Sequence, residues 1–322
     1  MRLSRKQFLL TLPALGLAGT AQAQSLFTRP VHMVLSTAPG GGADVTLRLI
    51  APQLTERLGA TVVIESRPGG SGLIAGGYVA QQAPDGYTFL LDIATHSVNP
   101  ALGRQMPYTV LEDLVPVTQV IRGANALAVH PSLPVSNIAE FIAYAREKKG
   151  DLSYASSGIG SAQHLAMEIF KERAGLQMTH VPYRGGGPAL IDLMAGHVQV
   201  YFAFIPSASQ HIREGRLKAL ATTGGGRAPS LPELPTIAES GFPGFESYDW
   251  NGIFAPARTP APMIRQMQAA VVGALAVPEI RRRILDIGIE PVGSTPEEFR
   301  AFLTAEIATW SAVVRRLGIT AE

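Results

Sequence analysis

The chain of 322 residues contains no cysteine. That absence excludes disulfides, thiolate metal sites and cysteine nucleophiles together, so an oxidising compartment leaves the covalent structure unchanged and stability rests on packing. Charge is sparse as well: 16% of residues are charged, and 27 basic side chains face 25 acidic ones. Such a balance lacks the basic excess with which nucleic-acid binders neutralise phosphates, and no nucleic-acid partner is expected. No run approaches the roughly 18 uninterrupted apolar residues of a membrane-crossing helix. Neither the nucleophile elbow G-x-S-x-G nor the zinc motif H-E-x-x-H occurs. The seven histidines are scattered, with no pair at metal-ligand spacing on a helix. No metal and no cofactor are expected.

What is present suits a folded α/β protein. A hydrophobic content of 46% over this length allows two domains, each with its own core. The first residues stand apart: Arg2, Arg5 and Lys6 precede an apolar run from Phe8 to Leu17, then Ala21-Gln22-Ala23. That order reads as an export signal cleaved after Ala23, leaving a soluble periplasmic protein. "SRKQFLL" resembles a twin-arginine signal, but Lys6 replaces the second arginine, which favours the general secretory route. Without the three basic residues, 24 basic side chains face 25 acidic ones, a net charge of about −1.

Short β-rich runs begin at His32, Thr61, Thr88, Ala126, Leu152, Thr179, Val198 and Leu217, with helical patterns between them. That alternation implies parallel sheets. Leu47, Ile50, Leu54 and Leu58 mark a helix that Gly59 stops and Pro52 kinks. Thr295, Pro296 and Glu298 form a capping-box start for a last helix, whose apolar face runs from Phe299 to Leu317. Glycine and proline crowd Thr222 to Gly244, which reads as loops. An outward crossing near Val120 to Ala126 and a return near Tyr248 to Phe254 define the expected organisation. Residues 24–123 and 249–322 make one discontinuous lobe, and residues 124–248 make an inserted one.

Three glycine-rich turns follow strands: first "APGGGAD" from Ala38, second "SSGIGSAQH" from Ser156 and third "RPGGSG" from Arg67. Glycine bares the main-chain N–H groups, and a helix start adds unpaired donors and partial positive charge. The combination is an anion cradle. Simple strand termination explains any one such turn equally well. A turn in each lobe, facing across a cleft between sheet ends, points to a small anion. A hydrogen bond to a charged group contributes about 1.5–3 kcal/mol, so four or five approach the roughly −8 kcal/mol of micromolar binding.

The turn "GSGLIA", Gly70 to Ala75, also fits the dinucleotide pattern G-x-G-x-x-A, with Asp92 ending a strand 22 positions after Gly70. That leaves an NAD-dependent oxidoreductase as an alternative, against which Arg67-Pro68 separates strand from glycines. A secreted hydrolase with serine and histidine assembled from distant positions is a second alternative.

The motifs "APGGGADVTLRLIAPQLTERLG", "VVIESRPGGSGLIAG", "APDGYTFLL", "VNPAL", "YASSGIGSAQHLAMEIF", "HVPYRGGGPALIDLMAGHVQ", "LPTIAESGFPGFE" and "WNGIFAPARTPAP" resemble, in order and spacing, the Bug family of extracytoplasmic solute-binding receptors. The resemblance covers nearly all of the mature chain. It implies a type II periplasmic binding protein, two α/β lobes with a ligand cleft, serving a tripartite tricarboxylate-type membrane transporter. It further implies a small carboxylate ligand held mainly by backbone groups and water, no catalysis, and a monomer. Carried over, Pro39, Gly40, Gly41, Gly42, Ala43 and Asp44 clamp the carboxylate against Ser156, Ser157, Gly158, Gly160 and Ser161. Gly70 and Ser71 of the third turn join them, and His96 and Tyr183 border the pocket. Many relatives carry aspartate after the phenylalanine of the "VQVYFA" strand, where this chain has Ala203 followed by Phe204. The expected ligand therefore has no ammonium group and meets an apolar wall at Phe204.

Individual side chains carry further expectations. Asp44 and Ser161 read as helix caps that order their loops. Ser157 is freer to donate to a ligand. His164 holds its loop by a side-chain hydrogen bond. Tyr183 either donates to a carboxylate or packs with a wet tip. Arg184 either pairs with a carboxylate or faces solvent. Asp249 lines the cleft, beside Trp250 as hinge packing.

Overall fold

The computed structural model describes residues 25–103 and 105–320. The expected export signal lies outside these. The first elements are β1 (Val31–Leu35), α1 (Gly42–Leu58), β2 (Val62–Ser66), α2 (Leu73–Ala80), β3 (Thr88–Ile93) and α3 (Thr95–Val98), leading to β4 (Leu114–Val129). The middle of the chain forms α4 (Ile138–Lys148), β5 (Ser153–Ser156), α5 (Ala162–Ala174), β6 (Thr179–Pro182), α6 (Gly186–Ala195), β7 (Val200–Phe204), α7 (Ile205–Arg213) and β8 (Lys218–Thr222). The last part holds β9 (Tyr248–Pro256), α8 (Ala261–Ala276), α9 (Pro278–Asp286), β10 (Ile289–Pro291) and α10 (Pro296–Leu317).

Strands hydrogen-bond in the order β2-β1-β3-β9-β4-β7-β5-β6, with β8 and β10 also on β4. Pairs β1–β2, β1–β3, β5–β6 and β5–β7 are parallel, as helical crossovers require. Every pairing of β4, and β3–β9, is antiparallel. The sheets are thus mixed rather than parallel. β4 changes partners along its length: Leu114 to Ala124 faces β9, and Asn125 to Val129 faces β7. The expected strand starts only at Ala126, whereas β4 begins twelve residues earlier, at Leu114, and contains Pro116 and Gly123. The chain absorbs Pro116 at a register shift between Pro116 and Thr118, the position where a sheet tolerates a missing N–H.

Each half has its own core. Leu35, Leu47, Phe89, Met267 and Val271 pack around β1, α1, β3 and α8. Phe141, Phe170, Phe202 and Phe245 pack around α4, α5 and β7. Burying one such side chain contributes about 1.5–3 kcal/mol. In α1 the predicted stripe Leu47, Ile50, Leu54 and Leu58 is fully buried, and Gly59 closes the helix at φ +62°. The helix is continuous through Pro52. α10 starts with the expected capping box.

Candidate functional site

Three helices begin at the ends of strands with glycine at the N-cap: Gly41 before α1, Gly72 before α2 and Gly185 before α6. None of these caps supplies a side-chain acceptor for a first-turn N–H, and at α2 the Leu73 N–H is taken instead by the Gly70 carbonyl. The turns meet at one place. A cavity of about 270 Å³ is bounded by Ser36 and Thr37 after β1, Gly69 to Gly72 before α2, and Thr95 in α3. From the middle of the chain come Ser157, Gly158 and Ile159 after β5, and Tyr183 and Arg184 after β6. A pocket of about 20 Å³, large enough for one water, adjoins it through the shared Thr37, Ile93 and Ser157. Its other walls include Gly41, Gly42, Ala43, Gly186, Phe204 and Asp249.

The halves touch beside these cavities. The Ala38 N–H donates to the Arg184 carbonyl at 2.9 Å. A Cβ on Gly187 would lie 2.3 Å from the Pro39 carbonyl oxygen, and one on Gly42 would lie 2.0 Å from Phe204 Cδ1. Glycine at these two positions permits an approach that alanine forbids.

The predicted site residues fall into distinct groups. Gly41, Gly42, Ala43, Gly70, Ser71, Ser157, Gly158, Tyr183, Phe204 and Asp249 line the two cavities. Pro39 and Gly40 sit at the exposed edge. Asp44 is not the cap of α1, since the helix begins two residues earlier, at Gly42. Its carboxylate instead reaches back to accept from Gly40 N–H at 3.0 Å and pairs with Arg48 at 2.8 Å, which orders the loop. Ser157 is not free: its hydroxyl donates to Gln163 Oε1 at 2.6 Å. Ser156, Gly160, Ser161 and His164 form the structure behind the wall. Ser156 Oγ accepts from Gly158 N–H at 3.2 Å and lies 2.7 Å from His180 Nε2, and Ser161 caps α5. His164 Nδ1 accepts from Gly160 N–H at 3.1 Å, and its ring stacks on His180 at 4.0 Å. Burial, aided by Lys171, lowers the His164 pKa to about 4. Burial and the neighbouring His164 take His180 to about 3.

His96 is a correction. It is fully buried, paired with Asp92 at 3.0 Å and stacked on Phe254 at 4.0 Å, and it lines neither cavity. A histidine four residues after a strand-end aspartate turns back onto it. Tyr183 keeps both readings in part, since it lines the cavity while its hydroxyl donates to Asp192 at 2.7 Å. Arg184 is exposed at the mouth. Asp249 is buried, accepts from Gln163 Nε2 at 2.6 Å and from Trp250 N–H at 2.9 Å, and burial pushes its pKa up to about 6.

Sequence reading missed Ser36 and Thr37. Both hydroxyls are buried without a hydrogen-bond partner among the described residues, and both residues line the cavity. The available signal was a polar pair directly after the apolar strand "VHMVL", at the strand's carboxyl end where ligands of α/β sheets gather. The dinucleotide alternative loses its acidic partner. Asp92 is fully buried, accepts from Ile93 N–H at 2.9 Å and holds His96, so its carboxylate is committed internally. Among the described residues no group of three or more His, Asp or Glu side chains forms a metal site, and no helix is long and apolar enough to cross a membrane.

Residues 46–319 match the family described as "Tripartite tricarboxylate transporter family receptor". Several solved structures are closely similar. The periplasmic binding protein BugD is 32% identical with a TM-score of 0.88, covering 91% of this chain and 99% of its own. An R. palustris protein solved with adipate is 38% identical with a TM-score of 0.88, covering 91% and 98%. MatC from Rhodopseudomonas palustris, solved with malate, is 32% identical with a TM-score of 0.84, covering 89% and 99%. The matching family is one of transporter receptors, so neither the oxidoreductase nor the hydrolase alternative finds support there, and the two-lobed α/β fold is shared with these structures. The chain belongs to the tripartite tricarboxylate transporter receptor family, among the Bug-type solute-binding receptors.

Proposed function

We propose that the protein captures a small organic carboxylate in this cleft in the periplasm and delivers it to a membrane transporter, without chemistry of its own. The observation that carries the reading is the meeting of three glycine-capped helix starts at two adjoining cavities, α2 at the larger and α1 and α6 at the smaller, with the hydroxyls of Ser36 and Thr37 partnerless among the described residues on the wall of the larger. Buried polar atoms without partners are costly, and a ligand oxygen satisfies them. The lobes divide where β4 changes partners, giving residues 24–123 and 249–322 one side and residues 124–248 the other.

Within the cleft, the carboxylate sits between the first turn, Gly41 to Ala43, and the second, Ser157 to Gly158. The third turn, Gly70 and Ser71, faces the second across the larger cavity. Arg184 stands at the mouth, placed for a second anionic group. Phe204 offers an apolar wall, and Ala203 offers nothing to an ammonium group. Asp249, already bound to Gln163, is a poor substitute. The structures bound to adipate and malate support dicarboxylates as the first compounds to try.

A thermal-shift screen of mono-, di- and tricarboxylates tests this. A ligand at 100 times its Kd adds about 2.7 kcal/mol of stability. A marked shift with a dicarboxylate and none with aspartate or glutamate is expected. Stabilisation by amino acids alone overturns the assignment.

A further inference from the structure

Away from the cleft, a concavity of about 740 Å³ opens between the starts of α8 and α10. Val115, Pro116, Ile264 and Ala301 provide apolar walls, and Arg258, Arg265 and Arg300 line it as exposed side chains. Among the described residues Arg258 and Arg265 have no ion-pair partner, and Arg300 donates only to the Leu111 carbonyl, at 3.2 Å. The one acidic lining residue is Glu297, while Glu298 beside it is bound into the capping box of α10. Three guanidinium groups with little local compensation make this spot positive.

A second, independent feature adjoins it. α8 carries a single charged side chain, Arg265, in 16 residues. Its outward positions Ala261, Ala269, Val272 and Ala276 are exposed and apolar. A surface helix ordinarily turns polar residues to water. Val292, next to the Gly293 that packs on Val272, extends the apolar strip. Arg258 itself is held at φ +67°, a left-handed conformation unfavourable for a non-glycine residue, which fixes the side chain's point of departure at the rim.

The place in the fold matters. Ile93 at the cleft faces Asn251, whereas Leu90 faces Phe254, so β9 runs away from the ligand and Arg258 follows its far end. An occupant here leaves the cleft mouth uncovered.

We propose that this groove and the outer face of α8 form a docking surface for a protein partner presenting an acidic and apolar segment. Its carboxylates pair with Arg258, Arg265 and Arg300, and its apolar side chains lie along Ala269, Val272 and Ala276. A lipid surface fits less well, because it cannot enter a concavity and the basic groups are gathered at one end instead of spread along the helix. The inference is independent of which ligand the cleft takes.

The test uses a fluorescein-labelled 14-residue peptide with glutamates in its first half and leucines at helical spacing in its second, followed by anisotropy. Saturable binding is expected. It should weaken at least tenfold in the Arg258→Gly, Arg265→Ala double variant, which also relieves the left-handed residue, and similarly in Ala269→Glu. Both variants should keep the wild-type melting temperature, which reports an intact fold. Absent binding, binding unaltered by either variant, or stronger binding to phosphatidylglycerol vesicles than to the peptide overturns the proposal.

Discussion

The first and second glycine turns look like twins in the sequence, yet they are built on different principles. The first, before α1, spends one donor internally, Gly40 N–H on Asp44, but leaves its helix start without a side-chain cap and gives its glycines to close approach: Gly41 and Gly42 press against Gly186 and Phe204. The second, before α5, is satisfied from within. Ser156, Ser161 and His164 accept from N–H groups of their own turn, and Ser157 is held by Gln163. A turn that spends its donors internally is a rigid wall; a turn that keeps them is a donor surface. Ligand donation should therefore concentrate on the first turn and on the uncapped α6 start, with the second turn setting shape.

The largest effect that sharpens this contrast is expected from Gly187→Ala. Its Cβ would meet the Pro39 carbonyl oxygen at 2.3 Å, a contact between the turn before α1 and the start of α6. Opening relieves the clash, so the fold should survive while ligand affinity drops more than a hundredfold. Calorimetric titration with unfolding curves checks both. Unchanged affinity would mean that capture does not need the two turns in contact.

Next comes Thr37→Val. Its hydroxyl has no partner among the described residues, so removal costs the fold little or even stabilises it, whereas a ligand loses a buried hydrogen bond. An affinity loss of roughly tenfold, from about 1.5 kcal/mol, is expected with no fall in melting temperature. A stability loss without an affinity change would assign Thr37 to the scaffold.

Much of this was legible in the sequence, and the exceptions have physical causes. Strand ends, the α1 stripe and the capping box at Thr295 are local patterns, and they appear where expected. The 16-residue β4 was not readable, because its length is set by two successive partners rather than by its own residues. Glycine turns can be found from composition, but which N–H groups remain available depends on side chains several residues away, such as Asp44, Gln163 and His164. His96 failed as a pocket residue for the same reason: its partner Asp92 is fixed by a helical turn that a motif does not display.

The pH response separates the two regions again, with opposite signs. His164 and His180 support the second turn and have folded-state pKa values of about 4 and about 3, below the ordinary 6.5. The unfolded chain takes up protons first as pH falls, so their contribution is complete above pH 6.5 and is lost progressively down toward pH 3. Asp249, beside the first turn, is raised to about 6 from 3.8, so the folded state holds the extra proton. Its contribution is complete below pH 3.8 and is lost as pH rises through about 6, by roughly 3 kcal/mol. Urea unfolding from pH 4 to 8 should show Asp249→Asn removing the loss on the alkaline side while leaving the acid loss. Because a neutral Asp249 no longer repels an anion, wild-type ligand affinity should also rise between pH 7 and 5, and the variant should lose that rise.

The smallest expected effect is Ser161→Ala. The serine caps α5 by accepting from His164 N–H at 3.3 Å, and it touches no cavity. Removing a cap costs about 1 kcal/mol of stability. If the second turn acts as a wall, the helix start shifts little, because His164 still holds Gly160, and affinity should change by less than threefold. A large affinity loss at unchanged stability would show that Ser161 itself reaches the ligand. The two turns would then be the twins that the sequence suggested, and the distinction between donor and wall would have to be given up.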